Sequence, residues 1–468
     1  MSQPSHHNFL PHTAEDRLEM LKAIGVKTTA ELFNDIPESL RQPKTYTALP
    51  AQGQSELELQ QTMQTYAEGN TGHQMASFLG GGAYHRFIPS AVNTIASRSE
   101  FYTAYTPYQP EVSQGTLQTI YEFQTMIAEL AGLDVANASV YDGGNAVAEA
   151  AFMAVRITKR KQIWITHSVN PEYGQILNTY AKGLGEVTVK DVWADKLPTD
   201  GTDDLACVIV QYPNYFGNIL DLQALSAFCQ QHGALLIVSA DPVSLGLLEA
   251  PGNLGADIVV GDIQPLGNNL SFGGPYGGYM ATRQKYTRQL PGRVVGRAKD
   301  KSGKTCYTLT LQTREQHIRR EKATSNICTN QALNVLKSTV YLTLMGPGGL
   351  KQVANISLQR AHALAKGLTD IEGVSFTFPE QPFCSEFAVT LPVPAHEVLV
   401  HLETQGILGG IPLGVAYPEL QNSLLISVTE MNSPEEIQRY MEAVDRFLSF
   451  RMQPAVKKME AELEVCER

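Results

Sequence analysis

Residues 255–281, GADIVVGDIQPLGNNLSFGGPYGGYMA, decide the fold of this chain. They read as an apolar strand (ADIVVG), a polar turn, a glycine-rich stretch and a second strand (GGYMA). The first strand carries its apolar residues as an unbroken run, the mark of a strand buried on both faces. Runs of the same kind recur upstream: QIWIT near residue 164, LACVIVQ near 208 and ALLIVS near 237. Helical segments such as DLQALSAFCQQHG lie between them. Strands covered on both faces and joined by helices make a mostly parallel, doubly wound α/β sheet. The quoted stretch contains no lysine.

On the N-terminal side, Leu117, Ile120, Tyr121, Ile127, Leu130 and Ala131 recur at helical spacing, and Gly132 stands where that helix would stop. After the turn YDGGN a second helix is expected from about Asn145 to Lys161, with Lys159, Arg160 and Lys161 in its last turn, where the helix dipole favours cations. Beyond about residue 330 come two long helical stretches, NQALNVLKSTVYLTLMG and LKQVANISLQRAHALAKGL, then short strands FAVTL and LLISVTE. These predict a smaller C-terminal α+β domain. The first seventy or so residues alternate short helical patterns with Pro37, Pro43 and Pro50 and end in the polar segment SELELQQTMQTYAEG. That segment reads either as an arm over a neighbour or over the main domain, or as a locally packed helical cap. The expected division is therefore 1–75, 76–330 and 331–468.

At 468 residues the chain exceeds the usual single domain. Hydrophobic residues at 43%, charged residues at 18% and a net charge of -11 describe a globular protein and argue against a nucleic-acid or anionic-membrane partner. The start, MSQPSHHNFLPHTAEDRLEML, has no apolar run of signal-peptide length, and no later run reaches membrane-spanning length, so a cytoplasmic location is expected. Cys207, Cys229, Cys306, Cys328, Cys384 and Cys466 show no C-x-x-C spacing. They read as reduced thiols, and no metal site is expected.

Four segments carry candidate chemistry. The turn Tyr141-Asp142-Gly143-Gly144-Asn145-Ala146 precedes a helix, so its amides could face a phosphate or simply cap the helix. Residues 78–115 combine Gly80, Gly81 and Gly82 with His85, Arg86, Tyr102, Tyr105 and Tyr108. Such a loop suits a small carboxylate, and equally an irregular subunit interface. Ser239 and Asp241 follow the run ALLIV, where ligand-binding residues of parallel sheets gather; Asp241 could meet a protonated ring nitrogen or cap the next helix. The run HIRREKATSNICTNQ sets Arg319, Arg320 and Lys322 beside Thr324, Ser325 and Asn326, either as an anion or interface site or as a capped helix start with a solvated basic face.

In this order and spacing, FLGGGAYHRFIP, YTPYQPEVSQGTLQTIYEFQT, YDGGNAVAEA and IRREKATSNICT resemble the glycine-cleavage P-protein family, and within it the first of the two subunits of organisms that split the protein. The resemblance covers nearly the whole chain. It implies the aminotransferase-like fold type I of pyridoxal-phosphate enzymes. In the family's cofactor-binding subunit a lysine after a histidine carries the Schiff base; the matching residues here are Gln264 and Pro265. Proline offers no amine and no backbone N–H, so that bond cannot form here. Lys285, the nearest downstream lysine, falls past the following strand. The family's acid and glycine after the ALLIV strand are matched by Ser239 and Ala240, with Asp241 two places on.

The reaction implied by the resemblance decarboxylates glycine on pyridoxal phosphate and passes the aminomethyl group to the lipoyl arm of the H-protein. The chain is then expected to pair with a homologous lysine-bearing subunit in an α2β2 assembly, the cofactor being held covalently by that partner alone. Residues of the 78–108 loop would reach a shared cleft. Two rivals remain: a purely structural or regulatory pseudoenzyme subunit, and a stand-alone pyridoxal-phosphate decarboxylase or aminotransferase using another lysine.

Overall fold

The structure, a computed structural model, describes residues 11–41 and 53–453. Pro43, Pro50 and Cys466 lie outside the described residues. Internal contacts divide the chain into two compact units, one ending at Thr71 and one starting at Gly72. The first unit holds helices Ala14–Ile24, Glu38–Arg41 and Glu56–Glu68, none of which buries a residue. Thr13 and Ser55 each start a helix with a capping box, reciprocated by Asp16 and Glu58.

In the second unit the longer helices are α1 (Gln114–Ala131), α2 (Gly143–Thr158), α3 (Pro171–Leu184), α4 (Leu222–His232), α5 (Ala332–Thr369), α6 (Ala395–Thr404) and α7 (Pro434–Arg451). The central strands are β1 (Val135–Ala136), β2 (Gln162–Thr166), β3 (Thr188–Val192), β4 (Leu205–Tyr212), β5 (Leu235–Ala240), β6 (Ile258–Asp262) and β7 (Gly278–Thr282). They form a seven-stranded sheet in the order β1-β7-β6-β5-β4-β2-β3. The five from β3 to β6 run parallel, while β7 runs antiparallel to both of its neighbours, β6 and β1. An antiparallel hairpin, β8 (Val294–Lys299) with β9 (Thr305–Thr310), follows.

Period-two alternation sends Trp164, Val208, Val210, Leu236 and Val238 to one face, packed with Phe123 of α1, Leu225 of α4 and Val335 of α5. Ile163, Ile165, Cys207, Ile209 and Ile237 go to the other, packed with Val147 of α2 and Leu177 of α3. Helices on both faces leave the strands no solvent side, which is why their sequences are unbroken apolar runs. α2 is buried along Gly143–Ala154, and its many alanines let it lie close against the sheet. It begins two residues before the expected Asn145 and ends at Thr158. Lys159 closes it in the left-handed conformation at φ 62°. Arg160 donates to the carbonyls of Leu205 and His232, and Lys161 pairs with Glu186, so the basic cluster fastens neighbouring segments instead of filling the last helical turn.

The two C-terminal helical stretches are one element, α5, broken at Gly346, whose φ of 57° and ψ of -178° are not helical and which precedes Pro347. A smaller antiparallel sheet follows: β10 (Ser375–Phe376), β11 (Glu386–Thr390), β12 (Ile411–Pro412) and β13 (Ser423–Ser427), in the order β10-β11-β13-β12. α5, α6 and α7 cover it with Leu364, Val398 and Tyr440. Ala76–Ser77 pairs with Ile407–Leu408, tying the start of this unit to its C-terminal part. Among the described residues no helix is long and apolar enough to cross a membrane.

Candidate functional site

The carboxyl end of β6, the N-termini of α2 and α3 and the small sheet meet around a cleft of about 690 Å³, within the range of small-ligand sites. The loop Gly80–Gly82 forms one wall. Gly81 and Gly82 have φ of 70° and 123°, and a Cβ on Gly81 would lie 2.7 Å from Ile411 Cδ1, so glycine is required by both conformation and space. The loop is fastened from three sides. Gly81 N–H donates to Glu386 Oε1 at 2.7 Å, and Asn170 Nδ2 donates to the Gly81 carbonyl at 2.8 Å. The Tyr84 hydroxyl donates to Glu386 Oε2 at 2.8 Å. Gln264 accepts from Tyr84 N–H and donates to the carbonyls of Tyr84 and Asn268, so it braces this loop across the sheet end.

The floor is the start of α2. Asp142 caps the helix by accepting from Asn145 N–H at 2.7 Å. Asp262, the last residue of β6, accepts from Gly143 N–H at 2.9 Å and from Gln264 N–H at 2.8 Å. Tyr173 of α3 closes over Gly143 so tightly that a Cβ there would sit 2.6 Å from its hydroxyl oxygen. Burial pushes Asp262 up to about 7; the two amides hold it down and the neighbouring Asp142 charge raises it further. Burial, with the charges of Asp262 and Asp142, also raises Tyr173 well above the ordinary tyrosine range.

Behind this floor is a void of about 30 Å³ lined by Tyr84, Ser239, Asp241, Asp262 and Pro265, room for little more than a water molecule. Asp241 accepts from the amides of Val243 and Ser244 and from the Ser244 hydroxyl, capping the short turn Ser244–Gly246.

These residues do not fit pyridoxal phosphate. Position 265 has no amine, and the amides of Gly143 and Asn145, which a phosphate would need, are taken by the carboxylates of Asp262 and Asp142. No lysine, arginine or histidine is among the described residues lining the cleft or the void, whereas Asp142, Glu172, Asp241 and Asp262 are. A dianionic phosphate would face carboxylates at short range without a compensating cation.

The other expected site residues separate into two groups. Arg86 is not available to a substrate carboxylate. It is buried, forms a 2.7 Å ion pair with Glu430 and donates to Ser357 Oγ. His85 is exposed, and its carbonyl accepts from the Thr429 hydroxyl. Thr324, Ser325 and Asn326 do not cap the following helix: α5 starts at Ala332, behind Gln331, because the intervening chain is held by other contacts. Ser325 donates to the buried Glu149, and Gln331 N–H donates to Ser139 Oγ.

The second group is brought together. Tyr108 lies edge-on to His317, with ring centres 6.2 Å apart, and its hydroxyl accepts from Arg293 at 3.1 Å. This joins the loop carrying the exposed Tyr102 and Tyr105 to the exposed run Arg319, Arg320 and Lys322. Glu386, Tyr173, Glu430 and Arg293 are not legible in the sequence; each is a single residue of ordinary type, the first two inside a strand and a helix and the last two in connecting loops, and only the fold gives it a partner.

A mixed α/β body with a mostly parallel central sheet and a smaller C-terminal sheet is the architecture of fold type I pyridoxal-phosphate enzymes. Sphingosine-1-phosphate lyase of Burkholderia pseudomallei shares that fold at 13% identity, with a TM-score of 0.63 over 89% of this chain and 95% of that one. The chain belongs to the glycine cleavage system P-protein family, which it matches over residues 7–444. A crystal structure of glycine decarboxylase (P-protein) of the glycine cleavage system, in inhibitor-bound form, superposes with a TM-score of 0.85 at 40% identity, over 94% of this chain and all of that one. The Anoxybacillus flavithermus protein named "Probable glycine dehydrogenase (decarboxylating) subunit 1" is 48% identical over 437 residues, 92% of this chain and 97% of that protein.

Proposed function

We propose that this chain is the first subunit of a two-chain glycine dehydrogenase (decarboxylating) of the glycine cleavage system. Its partner is a homologous lysine-bearing subunit that holds pyridoxal phosphate covalently, in an α2β2 assembly in the cytoplasm. Together the chains decarboxylate glycine and pass the aminomethyl group to the lipoyl arm of the H-protein. The observation that carries this reading is the cofactor position of the chain itself: Pro265 replaces the amine, and Asp262 occupies an amide of the α2 N-terminus. The name shared by the relatives, subunit 1, supports a second subunit. The segment 1–75 is assigned the part of an N-terminal arm.

Within this reading Arg86 is structural, while the exposed Tyr102 and Tyr105 and the run Arg319, Arg320 and Lys322 are the residues offered to a shared site. Borohydride trapping with pyridoxal phosphate, on the chain alone and after adding the lysine-bearing subunit, tests the division of labour. A trapped adduct and glycine decarboxylation only in the mixture support it; an adduct on this chain alone overturns it. Tyr105→Ala removes a side chain that is 87% exposed, so the isolated chain should keep its thermal midpoint. Turnover of the mixture is expected to fall at least tenfold, and unchanged turnover would favour a scaffold role.

A further inference from the structure

Resting on the two-chain reading, we infer that the cleft is a socket for a basic segment of the lysine-bearing subunit, seated by an apolar rim. The wall supplies the carboxylates of Asp142, Glu172 and Asp262 and the rings of Tyr141, Tyr173 and Tyr276, with no cationic side chain among the described lining residues. Carboxylates beside aromatic faces complement a lysine ammonium or an arginine guanidinium. The charge that excludes a phosphate selects a cation.

The rim points to a macromolecule as the carrier of that cation. Gly273 and Pro275 belong to the wall, and Phe272, immediately before them, is 99% exposed, the most exposed large apolar side chain among the described residues. Val415, itself part of the wall, is 85% exposed. Phe272 is held out by a braced loop. The Tyr276 hydroxyl donates to the Leu270 carbonyl at 2.8 Å, and Asn334 donates to the carbonyls of Pro275 and Tyr276. Ser271 and Phe272 both take left-handed backbone at φ 47° and 54°, which non-glycine residues rarely adopt without support. The exposed part of this loop, residues 269–275, carries no charged residue, as in the covered centre of a protein interface. An aromatic side chain presented on a fixed loop beside a carboxylate-lined cavity fits a protein segment that buries the ring and inserts a basic residue.

The test uses the purified two-subunit complex. With Phe272 replaced by the photoreactive p-benzoyl-L-phenylalanine, illumination should join this chain to the lysine-bearing subunit, at a peptide containing lysine or arginine. An adduct to the H-protein, to a second copy of this chain, or no adduct from an intact complex would overturn the inference. Glu172→Lys places the wrong charge at an exposed position of the wall, where the fold tolerates it. The dissociation constant between the subunits, from sedimentation on dilution, should rise at least tenfold, and less for Glu172→Gln. An unchanged constant would overturn the inference too. Failure of the two-chain reading has a separate signature, since the two purified subunits would then form no complex at all.

Discussion

Replacing Glu386 by glutamine should make the chain more stable at alkaline pH and less sensitive to pH. Glu386 is buried at the start of β11, with Oε1 accepting from Gly81 N–H and Oε2 from the Tyr84 hydroxyl. Burial pushes its carboxyl from the ordinary 4.5 up to about 7; those two hydrogen bonds oppose the rise, the Asp241 charge adds to it and Arg86 reduces it. The native protein therefore keeps this proton between about 4.5 and 7, where the unfolded chain has released it. The stability contributed by the protonated group is complete below 4.5 and is lost as pH rises through 7. At about 1.4 kcal/mol per pH unit, the displacement is worth on the order of 3 kcal/mol. Glutamine keeps the shape and an oxygen for Gly81 but cannot ionise. Urea unfolding of the isolated chain, followed by tryptophan fluorescence from about pH 5 to pH 8, should show wild-type stability falling more steeply than that of Glu386→Gln. The two curves should cross, with the variant more stable near pH 8. Asp262, raised to about 7 by burial, has the same sign and leaves a residual slope in both proteins. Parallel curves would refute the assignment of the slope to Glu386.

Arg86→Ala leaves Glu430 without its cation, and breaking a buried pair of this kind costs about 3–5 kcal/mol. Arg86→Met combined with Glu430→Gln should recover part of that loss in thermal denaturation, whereas wild-type stability of Arg86→Ala alone would show that the pair carries nothing. Gly143→Ala places a Cβ 2.6 Å from the Tyr173 hydroxyl oxygen and should cost about 1–3 kcal/mol; Tyr173→Phe in the same chain should return some of it, read from the unfolding midpoint. Pro265→Lys supplies an amine but leaves Asp262 and Tyr173 in place, so borohydride treatment with pyridoxal phosphate, followed by peptide mapping, should trap no adduct at residue 265. A trapped, absorbing adduct would show that those side chains do not block the position.

The central strands are legible because burial on both faces leaves runs such as LACVIVQ without polar interruption. β3, Thr188–Val192, is not legible because it is an edge strand: it pairs only with β2, and its exposed residues, among them Lys190 and Asp191, break the run. The capping residues Asp142, Thr13 and Ser55 act locally and can be read from spacing. The start of α2 lies ahead of the point the sequence suggests because glycine ordinarily weakens a helix, yet Gly143 and Gly144 make its first turn where Tyr173 and Ile176 leave no room for a Cβ. The loss of the Schiff-base amine is visible in the identity of residue 265 alone. What occupies the cofactor position is not, because the pairings of Asp262 with the Gly143 amide and of Tyr84 with Glu386 join residues of ordinary type that stand 119 and 302 positions apart.

The distribution of charge narrows where chemistry on glycine can take place. A substrate carboxylate and a cofactor phosphate are both anions, and the cleft of this chain presents carboxylates to them. The one buried arginine beside the glycine loop, Arg86, is committed to Glu430, and Arg293 is committed to Tyr108, Thr329, Asn330 and the Cys328 carbonyl. The exposed cations of Arg319, Arg320 and Lys322 remain, joined through His317 and Tyr108 to the loop carrying Tyr102 and Tyr105. They are exposed and lie outside the lining of the cleft, so they can stabilise an anion strongly only where a second chain excludes water around them. On the proposed two-chain reading, a contribution of this subunit to catalysis is confined to an interface, and Tyr105→Ala in the assembled enzyme tests it more directly than any substitution inside the cleft.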